Sequence, residues 1–497
     1  MRFKRKIFII LSLSVLLFIT SCSKTEYEGD MVETPVITPL PVQDKEEVIE
    51  ENEENINEYV ITIDLSIVIG TPKYIATGFL HGLSEDCSKP GPDYFDILKP
   101  VSFRGANLGG FWLKGDIDDN LQMLKVYYEY LNPLGVTIDY LLMDVWGSWY
   151  ENFFMNRPIR FPGDDGQWDD YEDFCSVIAT FVVDNDMQDF QYNLWNEPNL
   201  VKWGHSQFWP RSKEQFYEMW KRGYRQIKSI HPEAVISGPD YAPYSQEMDW
   251  KTDVEDFLDF CIENDVVPHV LTLHALPGDP VVFKGFAEKA LADRDITGVT
   301  LYINEYSDIN EQHPGAAAWY ISRLERAEIR GSRAIWPRPN TLFRAPVWNI
   351  SGELNGLMFL DTELNLSTTG IWWVYKRYAD ITGQLVETTA DDNDIIDAVA
   401  GVDANDRKLR VLFGANKDDD IPKLGKLTVI IKAFDADPFL CDNGQINVKV
   451  ERIPFNEGNP VAIPVIIKDE NVDVKNGEIM LEIEWDDVTD AYAVTLG

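Results

Sequence analysis

Two rhythms of apolar and polar residues divide the chain. From Thr77 onward, short β-branched or alternating runs give way repeatedly to longer stretches with apolar residues at helical spacing. The runs Gly78–Leu83, Val101–Arg104, Ile138–Asp144, Phe190–Trp195, Val235–Gly238, Val270–His274, Thr300–Asn304 and Arg333–Trp336 predict eight strands. The clearest helical stripe runs from Lys213 to Ile230, with Phe216, Met219, Trp220, Tyr224 and Ile227 on one face. Ser212 and Gln215 stand in capping-box spacing ahead of it, as Thr252 and Glu255 do for a later helix. Eight strands alternating with helices over roughly 300 residues predict an α/β fold, a (β/α)₈ TIM barrel over residues 77–384. Rhythm alone also admits a doubly wound sheet.

After Gln384 the helical stripes stop. Ala398–Asp403, Lys408–Phe413, Leu427–Ala433, Gln445–Arg452 and Glu478–Trp485 alternate in short runs between polar turns, which predicts an accessory C-terminal β-sandwich over 385–497. The alternating run at Tyr59–Ile69, within residues 59–76, is expected to join it. No internal repeat is visible.

Residues 1–22 read as an address. Arg2, Lys4, Arg5 and Lys6 precede an apolar stretch, Ile7 to Thr20, which falls short of the ~20 residues a membrane-spanning helix needs. Residues 23–58 carry Pro35, Pro39, Pro41 and two acidic runs, too little apolar surface to offset ordering, so they are expected to form an acidic, flexible tether. The segment Ile19-Thr20-Ser21-Cys22 resembles a bacterial lipobox. That resemblance implies lipidation of Cys22 and a membrane partner reached through the anchor. It also implies an exported lipoprotein at the outer membrane or cell surface of a Gram-negative bacterium.

Charge narrows the partners. A formal net charge of −39 repels phosphate backbones, which argues against nucleic acid, whereas neutral polysaccharides suffer no such repulsion. The cysteines at 87, 175, 261 and 441 show neither CxxC pairing nor metal-like spacing, so no essential disulfide and no metal site is expected. There is no GxSxG, no GxGxxG or Walker loop and no HExxH, and no cofactor is implied.

Two carboxylates stand out, each just past an apolar strand. Phe190-Gln-Tyr-Asn-Leu-Trp-Asn-Glu-Pro-Asn199 runs straight into Glu197, and Leu301-Tyr-Ile-Asn-Glu-Tyr-Ser307 delivers Glu305. In a barrel both sit on the C-terminal face, where catalytic groups collect. Cleaving a glycosidic bond with retention needs two such groups about 5–5.5 Å apart, one donating a proton and one attacking the anomeric carbon.

Trp195-Asn196-Glu197-Pro198-Asn199 resembles the strand-four signature of clan A retaining glycoside hydrolases, and family 39, with its β-xylosidases and α-L-iduronidases, is the most similar group. The resemblance spans roughly residues 77–385 and the attached sandwich. It implies Glu197 as acid/base, Glu305 as nucleophile and Asn196 on the sugar 2-hydroxyl. Arg104 would hold Glu305 ionised, Trp336 would floor the sugar, and His274 would bring a polar ring from strand six. The alternatives are a structural ion pair for Arg104, a core aromatic for Trp336 and a satisfied core histidine for His274. Two departures bear on the sugar. Family xylosidases often show Arg-x-His on strand two, where Gly105-Ala106 follows Arg104, and His-x-Tyr on strand six, where Ala275-Leu276 follows His274. The expected activity is retaining hydrolysis of a polysaccharide or oligosaccharide, β-xylosidase-like by resemblance. The rival is a non-catalytic cell-surface glycan-binding lipoprotein, which has no need of two opposed carboxylates.

Overall fold

The computed structural model describes residues 58–105, 117–143, 160–200, 203–204, 206, 208–242, 249–334, 353–354, 356–363, 365–416, 425–441, 443–485 and 487–497. Cys22, Trp336 and the tether up to residue 57 lie outside them, whereas Glu58, expected in the tether, opens the first strand.

A long strand, β1 (Glu58–Gly70), precedes eight parallel strands that close on one another in sequence order. These are β2 (Gly78–Leu80), β3 (Ser102–Arg104), β4 (Thr137–Leu141), β5 (Phe190–Asn193), β6 (Val235–Tyr241), β7 (Val270–Ala275), β8 (Thr300–Tyr306) and β9 (Arg330–Arg333). Helices α1 (Ile117–Leu131), α2 (Asp169–Asp184), α3 (Lys213–Ile230), α4 (Trp250–Asn264), α5 (Pro280–Ala292) and α6 (Pro314–Ala327) alternate with the later strands. A last helix, α7 (Gly370–Asp380), follows the hairpin β10 (Met358–Leu360) and β11 (Leu366–Thr368). The chain is thus an eight-stranded TIM barrel, and the doubly wound alternative is excluded by ring closure between β2 and β9.

Two local expectations shift. The eighth strand begins at Arg330 rather than Arg333, because polar side chains fill its interior positions. Arg330 Nη2 donates to Gln191 Oε1 across the barrel at 2.9 Å, and the Ser332 hydroxyl meets that of Tyr302 at 2.5 Å. The cap of α4 is Asp249, whose carboxylate accepts from the Thr252 amide at 3.2 Å, so Thr252 lies inside the helix. Ser212 does cap α3, accepting from the Gln215 amide.

The remaining strands are β12 (Gln384–Ala390), β13 (Ile396–Asp403), β14 (Lys408–Ala415), β15 (Gly425–Lys432), β16 (Gln445–Ile453), β17 (Val465–Asp473), β18 (Glu478–Trp485) and β19 (Ala491–Leu496). They form a nine-stranded sheet in the order β17-β16-β19-β14-β13-β12-β1-β15-β18. Every pairing is antiparallel except β1 with β15. Ile63 of β1, Val429 of β15 and Leu481 of β18 share one apolar core with Val411 of β14 and Val448 of β16, so the sheet folds over upon itself. Register shifts in β1 after Asp64 supply the bend.

Helix α6 joins the two parts, and its residues are buried almost throughout. Gly315 at its start lies so close to β14 that a Cβ on Gly414 would sit 2.1 Å from the Gly315 carbonyl oxygen. Arg323 and Arg326 then reach Asp397 of β13, a carboxylate 1% exposed, while Arg323 also grips Asp279 ahead of α5. The strand that carries Glu305 therefore runs into the element that the second sheet holds.

Between that strand and α6 lies Glu311, 5% exposed, which accepts from the Asp308 amide at 2.6 Å and the Tyr320 hydroxyl at 2.8 Å. Burial pushes its carboxyl from 4.5 up to about 7. Between those values the folded chain keeps a proton that the unfolded chain has released, so stability falls as pH rises through this window. Glu311→Gln should therefore match the parent near pH 4.5 in thermal unfolding and exceed it at pH 8, by on the order of 3 kcal/mol. Equal stability at both values would contradict this.

Candidate active site

Strand geometry brings charge to one end of the barrel. In a regular strand neighbouring side chains face opposite ways, so one strand sends every second residue inward. Two bulges break that rule. In β6 the register skips from Pro239 to Tyr241, which leaves Asp240 as the extra residue. In β8 it skips from Ile303 to Glu305, so Asn304 and Glu305 both reach interior groups although they are adjacent in sequence. Bulges re-aim side chains in this way next to active sites. Glu197, beyond β5, has φ of 44°, a left-handed conformation uncommon for a residue with a side chain. The Ser206 hydroxyl and the Leu200 amide hold it by donating to its carbonyl at 2.9 and 3.2 Å.

The groups converge around Arg104, which is 1% exposed. Its Nη1 donates to Glu305 Oε1, and its Nη2 donates to Asp240 Oδ2 and, at 2.8 Å, to Asn196 Oδ1. Its Nε lies 3.5 Å from Asp139 Oδ2. His274 Nδ1 lies 2.8 Å from Glu197 Oε1, and its Nε2 lies 4.0 Å from oxygens of Glu305 and Asp240. One donor atom each from Glu197, His274 and Glu305 lie within 4.8 Å of one another. Such a trio is close enough to surround a divalent cation. Arg104 already occupies the Glu305 oxygen, however, and the Nδ1 contact closes the Glu197 side, so these donors are engaged with each other.

Burial sets the protonation pattern. Desolvation raises the Glu305 carboxyl above its ordinary value, against the lowering pull of His274 and Arg104. Desolvation would lower His274, but the Glu305 and Glu197 carboxylates outweigh it and the imidazole is raised. Asp139 is raised by burial and by the neighbouring Asp240 charge. Exposure separates the roles. Asn196, Glu197 and Glu305 keep 4–9% of their surface, enough to touch a ligand, while His274, Asp139 and Asp240 keep none.

Of the sequence-predicted residues, Arg104, Asn196, Glu197, His274 and Glu305 lie in this one cluster. Arg104 and His274 are buried beside the carboxylates and contact them directly. Trp336 and Cys22 are outside the described residues. Sequence reading missed Asp139, Asp240, Asn193, Thr272 and Asn304. Gly238-Pro239 reads as a strand end, which concealed the Asp240 that follows. His81, just past β2, was missed as well. Its ring lies where a Cβ on Gly105 would come within 2.2 Å of Cε1, and burial with Arg104 holds its pKa down at about 3. Gly105, with no Cβ, thus leaves room beside Arg104 for the ring of a neutral histidine from the end of strand one.

Packing behind the loop explains the Trp-Asn-Glu-Pro-Asn run. Trp195 is buried, donates from Nε1 to the Phe208 carbonyl at 3.0 Å and meets Trp209 edge-on at 5.0 Å. Asn199 donates to Asp253 Oδ2 at 3.2 Å and accepts from the Ala242 amide, and Trp203 Nε1 donates to Asp253 Oδ1 at 2.7 Å.

No family model matches the chain. It is 22% identical over 473 residues to the 3-O-β-L-arabinopyranosyl-α-L-arabinofuranosidase of Bifidobacterium pseudocatenulatum, covering 84% of this chain and 45% of that protein. Among solved structures it is similar to N2152 from Neocallimastix frontalis, with a TM-score of 0.67, 25% identity and coverage of 88% of this chain and 99% of that one. The GH39 enzyme from Xanthomonas axonopodis pv. citri gives a TM-score of 0.60 at 14% identity, covering 88% and 97%. These likenesses support the barrel-plus-sheet fold. The chain spans less than half the length of the curated relatives it matches first.

Proposed function

We propose that the chain is a retaining glycoside hydrolase that works by double displacement, with Glu305 as nucleophile and Glu197 as acid/base. One observation carries this reading: a carboxylate oxygen from each glutamate lies within 4.8 Å of the other at the C-terminal end of the barrel strands. A pair about 5–5.5 Å apart leaves no room for a water between carboxylate and sugar, so the second group attacks directly. Arg104 keeps Glu305 charged for that attack, and Glu197, fixed by His274, protonates the leaving oxygen. Glu197 then deprotonates the water that releases the sugar. A pure glycan binder has no use for two converging acids with one cation on the attacking side.

The substrate class that fits best is a pentoside, a β-xyloside or an α-L-arabinofuranoside. The family resemblance favours the first, and the arabinofuranosidase named above favours the second. In both sugars the bond cleaved is trans to the 2-hydroxyl, so one arrangement of Glu305 and Asn196 serves either. We further propose that Cys22 carries a lipid and anchors an exported enzyme, on the strength of Ile19-Thr20-Ser21-Cys22 and the acidic spacer after it.

Four variants test turnover and attachment. Glu305→Ala should abolish turnover on every substrate. Glu197→Ala should lose about 10²- to 10⁴-fold on ordinary glycosides but still glycosylate on activated aryl glycosides. Azide should then restore its turnover and give a glycosyl azide of retained configuration; an inverted azide, or rescue of Glu305→Ala with retention, would reverse the assignments. Arg104→Met should raise the acidic limb of the pH–rate profile, since the nucleophile loses its cation. It should also cost about 3–5 kcal/mol in unfolding experiments, because it strands buried carboxylates. An unchanged limb would leave Arg104 a structural residue. Cys22→Ala should release active protein from membranes, and retention there would count against lipidation.

A further inference from the structure

Asp240 is fully buried and takes no part in the double displacement proposed above. Its Oδ1 accepts from Asn193 Nδ2 and Asn304 Nδ2, each at 2.9 Å, and from the Thr272 hydroxyl. That hydroxyl in turn accepts from the Asp240 amide at 3.1 Å, which fixes its direction. Three donors thus occupy Oδ1 and turn Oδ2 toward Arg104 Nη2. The same Nη2 holds Asn196 Oδ1, which leaves Nδ2 of Asn196 as its remaining donor.

We propose that Asp240 is a positioning residue for the nucleophile: it draws off part of the Arg104 guanidinium, and so sets both the strength of the Arg104–Glu305 contact and the orientation of Asn196. The inference rests on Glu305 being the nucleophile. A guanidinium given wholly to Glu305 would make that carboxylate more stable and a poorer attacking group. Shared with Asp240, it leaves Glu305 charged yet reactive. The charged groups facing Asp240 are Arg104 from β3, Asp139 from β4, His274 from β7 and Glu305 from β8. Their balance gives the sign of the test.

Asp240→Asn keeps an oxygen for the three donors but places an amide against the guanidinium. Glu305 then loses a neighbouring negative charge and gains the whole cation. Both changes favour its ionised form, so the acidic limb of kcat/KM should move to lower pH by about one unit. The maximal kcat should fall roughly tenfold or more, as the nucleophile weakens. Thr272→Val loosens the carboxylate without removing its charge, and should lower kcat less while leaving the limb in place. The profiles are to be measured on the nitrophenyl glycoside that the full chain hydrolyses, and Glu305 probed by mass spectrometry with the 2-deoxy-2-fluoro analogue of that glycoside. A limb that stays in place or rises in Asp240→Asn, with Glu305 still labelled, would overturn the role of Asp240 and leave the nucleophile standing. The same limb shift in Thr272→Val would also overturn it. A parent protein labelled elsewhere would remove the nucleophile assignment and this inference with it.

Discussion

Moving a guanidinium from water into a protein interior costs several kcal/mol even after relaxation, and only well-placed counter-charges offset it. Arg104 sits in such a place, inside the barrel at 1% exposure, with Glu305, Asp240 and Asp139 around it. Three carboxylates against one cation is an excess of negative charge. The chain balances it with a raised carboxyl at Asp139 and a raised imidazole at His274, while His274 and Arg104 pull the Glu305 carboxyl back down against its desolvation. Remove the guanidinium and several buried acids lose their partner at once. The site is therefore one electrostatic unit, not a set of independent side chains.

That unit explains features of the fold that packing alone does not. Barrel interiors are commonly filled by branched aliphatic residues, yet here Ser102, Tyr302 and Ser332 form a hydrogen-bonded layer beneath Arg104. The bulges at Asp240 and Asn304 interrupt strand pairing, and both deliver a polar side chain to the guanidinium network. The left-handed turn at Glu197 is held by buried hydrogen bonds on one side and by the Trp195–Trp209 contact on the other. Helix α6, pinned between barrel and sheet by Asp397, fixes the far end of the strand that bears Glu305.

The barrel was legible in the sequence because strand-then-helix periodicity survives even where interior positions are polar. Glu197 and Glu305 were legible because each follows an apolar run at its abrupt end. Asp139 and Asp240 were not, since period-two alternation does not say which face is interior, and a bulge shifts the phase without a local signal. Arg330 and Ser332 hid the start of the last barrel strand by being polar and inward. In the second sheet, β19 is buried on both faces and β17 is mostly exposed on both, so neither alternates. The alternation was clearest where one face met water, as in β15 and β18.

Two carboxylates this close, with one paired to a buried cation, are proposed to transfer a sugar through a covalent intermediate. The most direct test is proton NMR of the first product formed by the unmodified protein from an aryl pentoside, before mutarotation equilibrates the anomers. With double displacement the initial anomer has the configuration of the substrate. An initial product of inverted configuration would contradict it.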